Sequence, residues 1–497
     1  MNELFQGIEV RQVTGDTARE VVGLAYDSRS VQPGFLFFAI EGFEMDGNRF
    51  VPDAVDRGAT AIVSQRPFAG PPAAVGRDAT VGRLYRDVTW IEVADARASM
   101  ASIAANFYSH PSRQLQVVGV TGTNGKTTTT FVLDSIFRAS GSKTAVLGTI
   151  DMKLGDERIA AERTTPESPD IQKFLRRAAD AGCRFASMEV SSHALQLRRS
   201  DALNFRAAIF TNLSQDHLDF HHTFENYYAA KRRFFVDRTF GDPVCVINRD
   251  DSYGRRLWSE VNRRKVSYGL NADNDFHPRE LSCTQAGISF QLAAKRHVSI
   301  QSALVGAPNV YNILAACAAA FELGVECEAI RTGVRDMQLV PGRMERIPND
   351  RGLNVFVDYA HTDDALKNVL QLARPFTAGR LIVLFGCGGD RDRTKRPLMG
   401  KAAAQHADLV VLTSDNPRTE DPDSILDDVE PALKAASTPY VRIRDRREAI
   451  EHAIRQAREG DTVILAGKGH EEYQVIGTAK IRFSDRDEAR ALLKEKS

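Results

Sequence analysis

The sequence predicts an α/β protein of three domains: a small α/β domain over residues 1–97, a central parallel-sheet domain over 98–338 and a Rossmann-like domain over 339–497. Three observations carry that reading. The chain has 497 residues, enough for two to four separately cored domains. A strand, a glycine-rich loop and a helix follow one another over 115–141. From about residue 340 apolar strand-like runs and helical stretches alternate strictly.

In the N-terminal segment, "GFLFFAI" (34–40) and "TAIVSQ" (60–65) are short apolar runs punctuated by Gly and Pro. The central segment opens with the helical pattern "RASMASIAANFYSHPS" (97–112), which stops at His110-Pro111 because the residue before a proline is driven from the helical region. Strand-like "LQVVGV" (115–120) then leads through the loop into helical "TTTTFVLDSIFRASG" (127–141). The runs "TAVLGTI" (144–150), "FASMEV" (185–190) and "AAIFTNL" (207–213) repeat that order, so a largely parallel sheet is expected. The C-terminal strands are "LNVFVD" (353–358), "RLIVLFG" (380–386), "DLVVLTS" (408–414), "YVRIRD" (440–445) and "DTVILAG" (461–467), with helical spacing over 422–436 and 446–460. In a doubly wound domain of this kind ligands sit beyond the carboxyl ends of the strands.

Lys+Arg and Asp+Glu both number 65, so no global field draws the chain to nucleic acid or to an acidic membrane surface. The start, "MNELFQGIEV", lacks a basic region followed by an apolar core, and "NILAACAAAF" (312–321) is too short to span a bilayer. Six cysteines without a C-x-x-C pair argue against zinc and a disulfide scaffold. The expectation is a cytoplasmic monomer with small-molecule ligands, no nucleic-acid partner and no membrane insertion.

The strongest local signal is "GVTGTNGKTTTT" (119–130). Gly122, Thr123, Asn124 and Gly125 at a strand–helix junction let backbone N–H groups close around phosphate oxygens, with the helix N-terminus adding a favourable dipole. Lys126 then reaches the β- and γ-phosphates of ATP, and Thr127, followed by Thr128, offers a hydroxyl to Mg²⁺. The strict pattern asks for Gly at 120, where Val120 stands. Downstream, "MEVSSHAL" (188–195) ends a strand on Glu189, an oxygen donor suited to Mg²⁺, with Ser191 or Ser192 placed to cap a helix. "TNLSQDHLDFHHTFENYYAAKRRF" (211–234) gathers Asp216, His217, Asp219, His221, His222 and Lys231. By default, a lysine in the helical run "NYYAAKRRFF" is solvated or snorkelling. Asn309 reads as a helix cap, while Asn312 has a donor and an acceptor fit for an adenine edge. On spacing alone Asp27-Ser28-Arg29 is a turn.

"TGTNGKTTT" resembles the ATP loop of the Mur ligase family, amide-forming ligases of peptidoglycan precursor synthesis, and folylpolyglutamate synthetases share a related loop. The resemblance extends over essentially the whole chain. It implies a UDP-binding N-terminal domain and a P-loop ATPase-like central domain. It also implies catalytic roles for Lys126, His217 and Lys231, with Lys231 carbamylated and joining Thr127, Glu189 and His217 around Mg²⁺. Asn312, Arg343 and Asp358 then join the loop in binding ATP. "YDSRSVQPGFLFFAIEGFEMDGNRF" resembles the region that holds the UDP-muramyl substrate, which implies Tyr26 and Ser28 there, and Thr164, Thr165, Ser191 and Arg199 on its dipeptide. The Gln two positions before that Arg in the family is Leu197 here, with Gln196 beside it.

Three strand-end loops remain: "FGCGGDRDRTKRP" with Arg391, "TSDNPRTEDP" with Asp415, Asn416, Pro417 and Arg418, and "AGKGHEEYQ" with Gly467 and Glu471. Forked guanidinium donors suit carboxylates, and Asp415 and Glu471 suit an ammonium. In the family D-N-P-R goes with meso-diaminopimelate, and lysine-adding relatives lack this Arg. The implied activity is ATP-dependent, ADP-forming addition of meso-diaminopimelate to a UDP-muramyl dipeptide through an acyl phosphate. A lysine-adding or folylpolyglutamate-type ligase and a non-catalytic ATP-binding switch are the alternatives.

Overall fold

The computed structural model describes residues 1–42, 45–67, 87–161, 163–284, 287–294 and 297–494; of the stretches quoted above, Phe43 and Glu44 lie outside the described residues. The chain divides into two compact units. The first is Met1–Gly119 with Ser142–Ala208 and Arg233–Val244, and the second is Val120–Gly141 with Ile209–Arg232 and Cys245–Ser497.

In the first unit five strands lie in the order Val10–Thr14, Thr89–Val93, Ala61–Ser64, Phe35–Ala39, Gly23–Ala25. The first pairs antiparallel and the others parallel. The period of two splits "FLFFA" between two cores: Phe37 and Ala39 pack with Ile62 on one face, Leu36 and Phe38 with Val63 and Ile91 on the other. A strand apolar on both sides reads as a continuous run.

A further sheet has eight strands, in the order Lys265–Tyr268, Val244–Asn248, Phe205–Phe210, Gln116–Thr121, Phe185–Glu189, Thr144–Leu147, Asp151–Leu154, Glu157–Ala160. Thr144–Leu147 pairs parallel with Phe185–Glu189, as expected, but Asp151–Leu154 and Glu157–Ala160 form an antiparallel extension. The run "TAVLGTI" is also shorter as a strand than its apolar length suggests. It ends at Leu147, because the Thr149 N–H is taken by Glu189 Oε1 at 2.8 Å rather than by a ladder partner.

In the second unit six strands are ordered Glu345–Ile347, Asn354–Asp358, Thr462–Ala466, Leu381–Phe385, Leu409–Leu412, Tyr440–Arg442. All pair parallel except Glu345–Ile347. Helices cover both faces, so Leu381–Phe385 and Thr462–Ala466 are buried throughout. Two further antiparallel sheets went unread in the sequence: His277–Thr284 with Gly287–Ala293 and Val298–Ser302, and the hairpin Tyr473–Ile476 with Ala479–Arg482. "HPRELSCT" is exposed over most of its length and so carries no apolar alternation to betray it. No disulfide joins the six cysteines, and among the described residues no helix is long and apolar enough to cross a membrane.

One buried ion pair ties the carboxyl ends of two strands together. Arg446, the first residue of the helix Arg446–Gln456, is fully enclosed with Asp485. Its Nε and Nη2 donate to the two carboxylate oxygens at 2.8 and 2.6 Å, and its other contacts reach Ser414 O at 3.3 Å and Ala466 O at 3.0 Å. Removing one member strands the other charge in the core, so Asp485→Ala should lower unfolding free energy by about 3–5 kcal/mol in urea titration. Wild-type stability for that variant would contradict the reading.

Candidate active site

The phosphate loop lies within the second unit and is held by the strand end at Thr211-Asn212. Thr123 N–H donates to Asn212 O at 2.9 Å, Asn124 N–H to Asn212 Oδ1 at 2.9 Å, and Thr211 Oγ1 to Asn124 O at 2.7 Å. Gly125 caps the helix Lys126–Ala139 at φ 89°, and a Cβ there would meet Asn312 Oδ1 at 2.3 Å. Val120, the departure from the strict motif, is a fully buried strand residue, so the position serves the core. Lys126 Nζ folds back onto Gly122 O at 3.0 Å and Thr123 O at 2.9 Å. Thr127 is buried one residue into the helix, with Arg343 Nη2 at 3.3 Å from its hydroxyl.

Beside the loop opens a cavity of about 890 Å³ whose lining includes Asn124, Gly125, Asp250, Tyr311, Asn312 and Phe376. Asn312 donates through Nδ2 to Asn309 Oδ1 at 3.0 Å. The expected cap role of Asn309 is corrected. Gly306 caps the helix Ala307–Glu322, and Asn309 sits in its first turn, bonded to Val305 O at 2.8 Å. Arg343 stacks 4.7 Å from the Tyr359 ring centroid. Asp358 is buried and accepts from Met344 and Ala360 N–H at 2.7 and 2.8 Å, so its carboxylate shapes the turn that carries Arg343, just before the strand Glu345–Ile347, and the exit of its own strand. Burial raises its pKa above the usual range despite Arg343.

Lys231 overturns the default of a solvated lysine. Its side chain is buried in the helix Phe224–Val236, with Nζ donating to Gly122 O at 2.8 Å and lying 4.6 Å from the Tyr227 ring centroid. Burial drives its pKa well down and Lys126 adds to the shift, with Asp216 opposing. Burial alone would raise Asp216, but His217, His361, Lys395 and Lys126 together hold it below the ordinary carboxylate range. His217, at φ 54°, caps the short helix Leu218–His221 and brings Nε2 to 3.3 Å from Asp216 Oδ2. Asp219 and His222 are exposed, and His221 is a packed core residue against Tyr227.

The first unit holds its own polar cluster. Glu189 is buried at its strand end, its oxygens 2.8 and 3.0 Å from Thr149 N and Oγ1. Thr149 Oγ1 lies 3.1 Å from Thr164 Oγ1, and Thr165 Oγ1 donates to Glu189 O at 2.8 Å. Ser191 caps the helix Ser192–Gln196 through Ala194 N–H, as its position suggested, and its own N–H donates to Thr165 Oγ1 at 3.1 Å. Arg199 Nη1 reaches Thr165 O at 3.3 Å, and its Nε pairs with the buried Glu167 at 2.9 Å. Burial pulls Arg199's pKa down while Glu167 opposes that shift. Leu197 is buried and Gln196 exposed. Tyr26 OH donates to Asp170 Oδ2 at 2.6 Å, and burial with that carboxylate raises the phenol. Asp27-Ser28-Arg29 is indeed a capped turn, with Asp27 accepting from Arg29 N–H at 2.9 Å and Ser28 buried within it.

At the carboxyl edge of the six-stranded sheet the three loops interlock. Gly389 N–H donates to Asn416 O at 2.9 Å, and a Cβ on Gly389 would strike Pro417 O at 1.9 Å. Arg418, at φ 53°, donates from Nη1 to Gly389 O at 2.7 Å, and its backbone pairs with the hairpin at Val475 and Gly477. Burial and the neighbouring Arg391 lower its pKa, against Asp415, Glu471 and Asp390. Asn416 Nδ2 donates to Glu471 Oε2 at 2.9 Å, Gln474 Nε2 to Asp415 O at 2.6 Å, and Gly467 N–H to Asp358 O at 3.0 Å. Arg391 is exposed on its loop, with Nη1 donating to Asp390 O at 2.8 Å. Asp415, Asn416 and Pro417 are buried.

Residues 20–108, 120–320 and 342–469 match, in turn, the Mur ligase family catalytic domain, the Mur ligase middle domain and the Mur ligase glutamate ligase domain. A UDP-N-acetylmuramoyl-L-alanyl-D-glutamate–2,6-diaminopimelate ligase of Solibacter usitatus is 47% identical over 477 residues, spanning 96% of this chain and 94% of the relative. The chain belongs to the Mur ligase family. A solved UDP-N-acetylmuramoyl-L-alanyl-D-glutamate–2,6-diaminopimelate ligase superposes with a TM-score of 0.64 at 33% identity, covering 95% of this chain and 94% of that one. A folylpolyglutamate synthase of Mycobacterium tuberculosis solved with ADP gives a TM-score of 0.63 at 19% identity over 74% of this chain and 91% of that one, a likeness of fold alone.

Within this Mur ligase chain the second unit brings the phosphate loop, Asp216, His217, Lys231, Asn312 and Arg343 into one neighbourhood. Two buried groups went unread, Lys468 and Arg446, as did the half-buried Lys395 at the start of the helix Lys395–His406, whose Nζ donates to His361 O at 3.0 Å. Lys468 stands next to Gly467 in "AGKGHEEYQ", and its place between two glycines was the available signal. Because Gly125 closes on Asn312, Gly125→Ala should weaken binding of a non-hydrolysable ATP analogue at least roughly tenfold by calorimetry, about 1.4 kcal/mol. Undiminished affinity would remove the loop from nucleotide binding.

Proposed function

We propose that this chain joins the amine of meso-diaminopimelate to the γ-carboxylate of D-glutamate in UDP-N-acetylmuramoyl-L-alanyl-D-glutamate, converting ATP to ADP and phosphate. The observation that carries this reading is the interlocked set of strand-end loops. Arg418 and Arg391 offer guanidinium groups for carboxylates, and Asp415 and Glu471 offer acceptors for an ammonium, around one edge of one sheet. A molecule with amino and carboxylate groups at both ends satisfies all four.

The γ-carboxylate oxygen attacks the γ-phosphorus of ATP; that O–P bond forms as the bond to the β-phosphate oxygen breaks and ADP leaves. The amine of the incoming amino acid then attacks the acyl carbon, the C–N bond forms, the C–O bond breaks and phosphate departs with the electron pair, while the amine sheds a proton. Lys126, at the helix N-terminus, counters the charge on the transferring group, and the loop N–H groups position it. Tyr26, Ser28, Thr164, Thr165, Ser191 and Arg199 are assigned to the UDP-muramyl dipeptide. Gly122 to Thr128, Asn312, Arg343 and Asp358 are assigned to ATP. In the proposed division at residues 97 and 338, the UDP-muramyl dipeptide draws on the first two segments, ATP on the second and third, and meso-diaminopimelate on the third.

The donor chemistry of the second unit fits magnesium. An ammonium cannot ligate Mg²⁺, but burial favours the neutral amine of Lys231, which can add carbon dioxide and become a carbamate, an oxygen donor. Thr127, His217 and Lys231 as its carbamate are the groups proposed to hold the ion there. When bound, magnesium neutralises charge on the phosphoryl oxygens. Nucleotide-linked substrates support a cytoplasmic reaction, and the chain is proposed to act there as a monomer.

Phosphate release should require the UDP-muramyl dipeptide, meso-diaminopimelate and ATP together, and L-lysine should support it poorly; equal rates with both amino acids would defeat the specificity assignment. Arg418→Lys keeps the charge and loses the fork, so the KM for meso-diaminopimelate should rise roughly tenfold or more while that for ATP stays within about twofold. Lys231→Ala should lower kcat by at least about a hundredfold, the loss of one charge-assisted site in a dry pocket. Near wild-type turnover would exclude the carbamate.

A further inference from the structure

Asn416 and Glu471 are not independent members of the amino-acid pocket. A fully enclosed lysine, Lys468, lies between them: its side chain is 0% exposed, against 14% for Glu471. Nζ donates to Asn416 Oδ1 at 3.1 Å and to Glu471 Oε2 at 2.9 Å, and sits 5.8 Å from the Tyr473 ring centroid. Asn416 Oδ1 also accepts from Val475 N–H at 2.9 Å, and its Nδ2 donates to the same Oε2 of Glu471 at 2.9 Å. The Asn416 amide is thereby committed at both ends within the protein. Glu471 N–H closes a tight turn onto Lys468 O at 2.9 Å, so lysine and carboxylate share one short loop.

The asymmetry on Glu471 is the informative part. Among the described residues both side-chain donors converge on Oε2 and none reaches Oε1. A carboxylate pinned by one oxygen cannot rotate freely about its last torsion, and that leaves its other oxygen as an acceptor held in one direction. Asn416 carries the same frame back to Arg418 two residues on, whose backbone is paired at Val475 and Gly477.

We propose that Lys468 is a specificity-determining positioning residue for the amino-acid substrate. Acting through Glu471 Oε2 and Asn416 Oδ1, it aims Oε1 at a substrate ammonium and fixes the span between that contact and the Arg418 guanidinium. A diamino acid with a carboxylate at its far end matches both ends of that span. This inference rests on the reading that the pocket receives meso-diaminopimelate.

The experiment compares steady-state phosphate release in wild type, Lys468→Met, Glu471→Gln and the double variant, with each substrate varied in turn. Lys468→Met should raise the KM for meso-diaminopimelate roughly ten- to a hundredfold, the scale of a charge-assisted contact, and leave the KM values of ATP and the UDP-muramyl dipeptide within about twofold. Because Lys468 acts through Glu471, the double variant should be little worse than the poorer single one, not the product of the two. A Lys468→Met enzyme with an unchanged KM for the amino acid, a rise common to all three substrates, or multiplicative effects would overturn the proposal. If Lys468→Met does not fold by circular dichroism, Asn416→Ala decides: it removes one donor to Oε2 and one acceptor for Nζ, and an unmoved KM for meso-diaminopimelate counts against the frame. A wild-type enzyme that releases no phosphate with meso-diaminopimelate would instead defeat the parent reading and this one with it.

Discussion

Ionised side chains inside a protein persist only where each is matched, and the second unit is organised around that constraint. Arg446 and Asp485 neutralise one another at full burial, and the spare guanidinium hydrogens go to the carbonyls of Ser414 and Ala466. Those two carbonyls lie at the ends of neighbouring loops that carry Asp415 and Glu471. Arg396, also fully enclosed, does the same a loop away: it pairs with Glu420 at 2.8 Å and Asp428 at 2.8 Å and reaches Gly388 O at 3.4 Å. Arg396's hydrogen bonds, with those of Arg393, pull Glu420's pKa down to about 2. The loop of Arg391 is thus pinned to the loop of Arg418 by a salt bridge, and the loop of Glu471 by a lysine.

The same constraint separates two buried lysines. Lys468 has a carboxylate at 2.9 Å and belongs to a satisfied frame. Lys231 has a backbone carbonyl and an aromatic ring, with Lys126 adding like charge and Asp216 only partly offsetting it. Burial without a matched anion selects the neutral amine, and a neutral amine is the reactive form of lysine. One lysine is a strut and the other a candidate for chemistry, and the difference lies in what stands within 3 Å of Nζ.

Much of this was legible from the residues. Parallel strands buried on both faces write themselves as apolar runs, so the six-stranded sheet and the ligand edge beyond its strands could be placed from "RLIVLFG", "DLVVLTS" and "DTVILAG". The phosphate loop was legible because glycine, lysine and threonine fell at a strand–helix junction. The antiparallel sheet over 277–302 was not, since its first strand is largely exposed and carries no apolar alternation, even though it pairs with the next strand in sequence. Lys231 could not be told from a surface lysine by spacing, because its burial depends on the loop at Gly122, 109 residues earlier in the chain. Arg446 was invisible for the same reason, since Asp485 lies 39 residues away, and the frame of Lys468 needs Asn416, 52 residues away, as well as Glu471 in its own loop.

These facts bear on how one fold serves several substrates. The likeness to a folylpolyglutamate synthase at 19% identity shows that the scaffold tolerates wide change. In this chain the groups that would meet an amino acid stand on strand-end loops, and loops are ordinarily the mobile part of a domain. Here they are held by buried charge and by backbone pairing, Gly389 to Asn416 and Arg418 to the hairpin. A diamino dicarboxylate differs from lysine by one carboxylate, so a soft pocket would collapse around either. Discrimination needs an arginine that cannot retreat when the carboxylate is missing, because an unmatched guanidinium is then left partly desolvated. Rigid loops convert the absence of one group into a lost contact, and the buried pairs beneath them supply the rigidity.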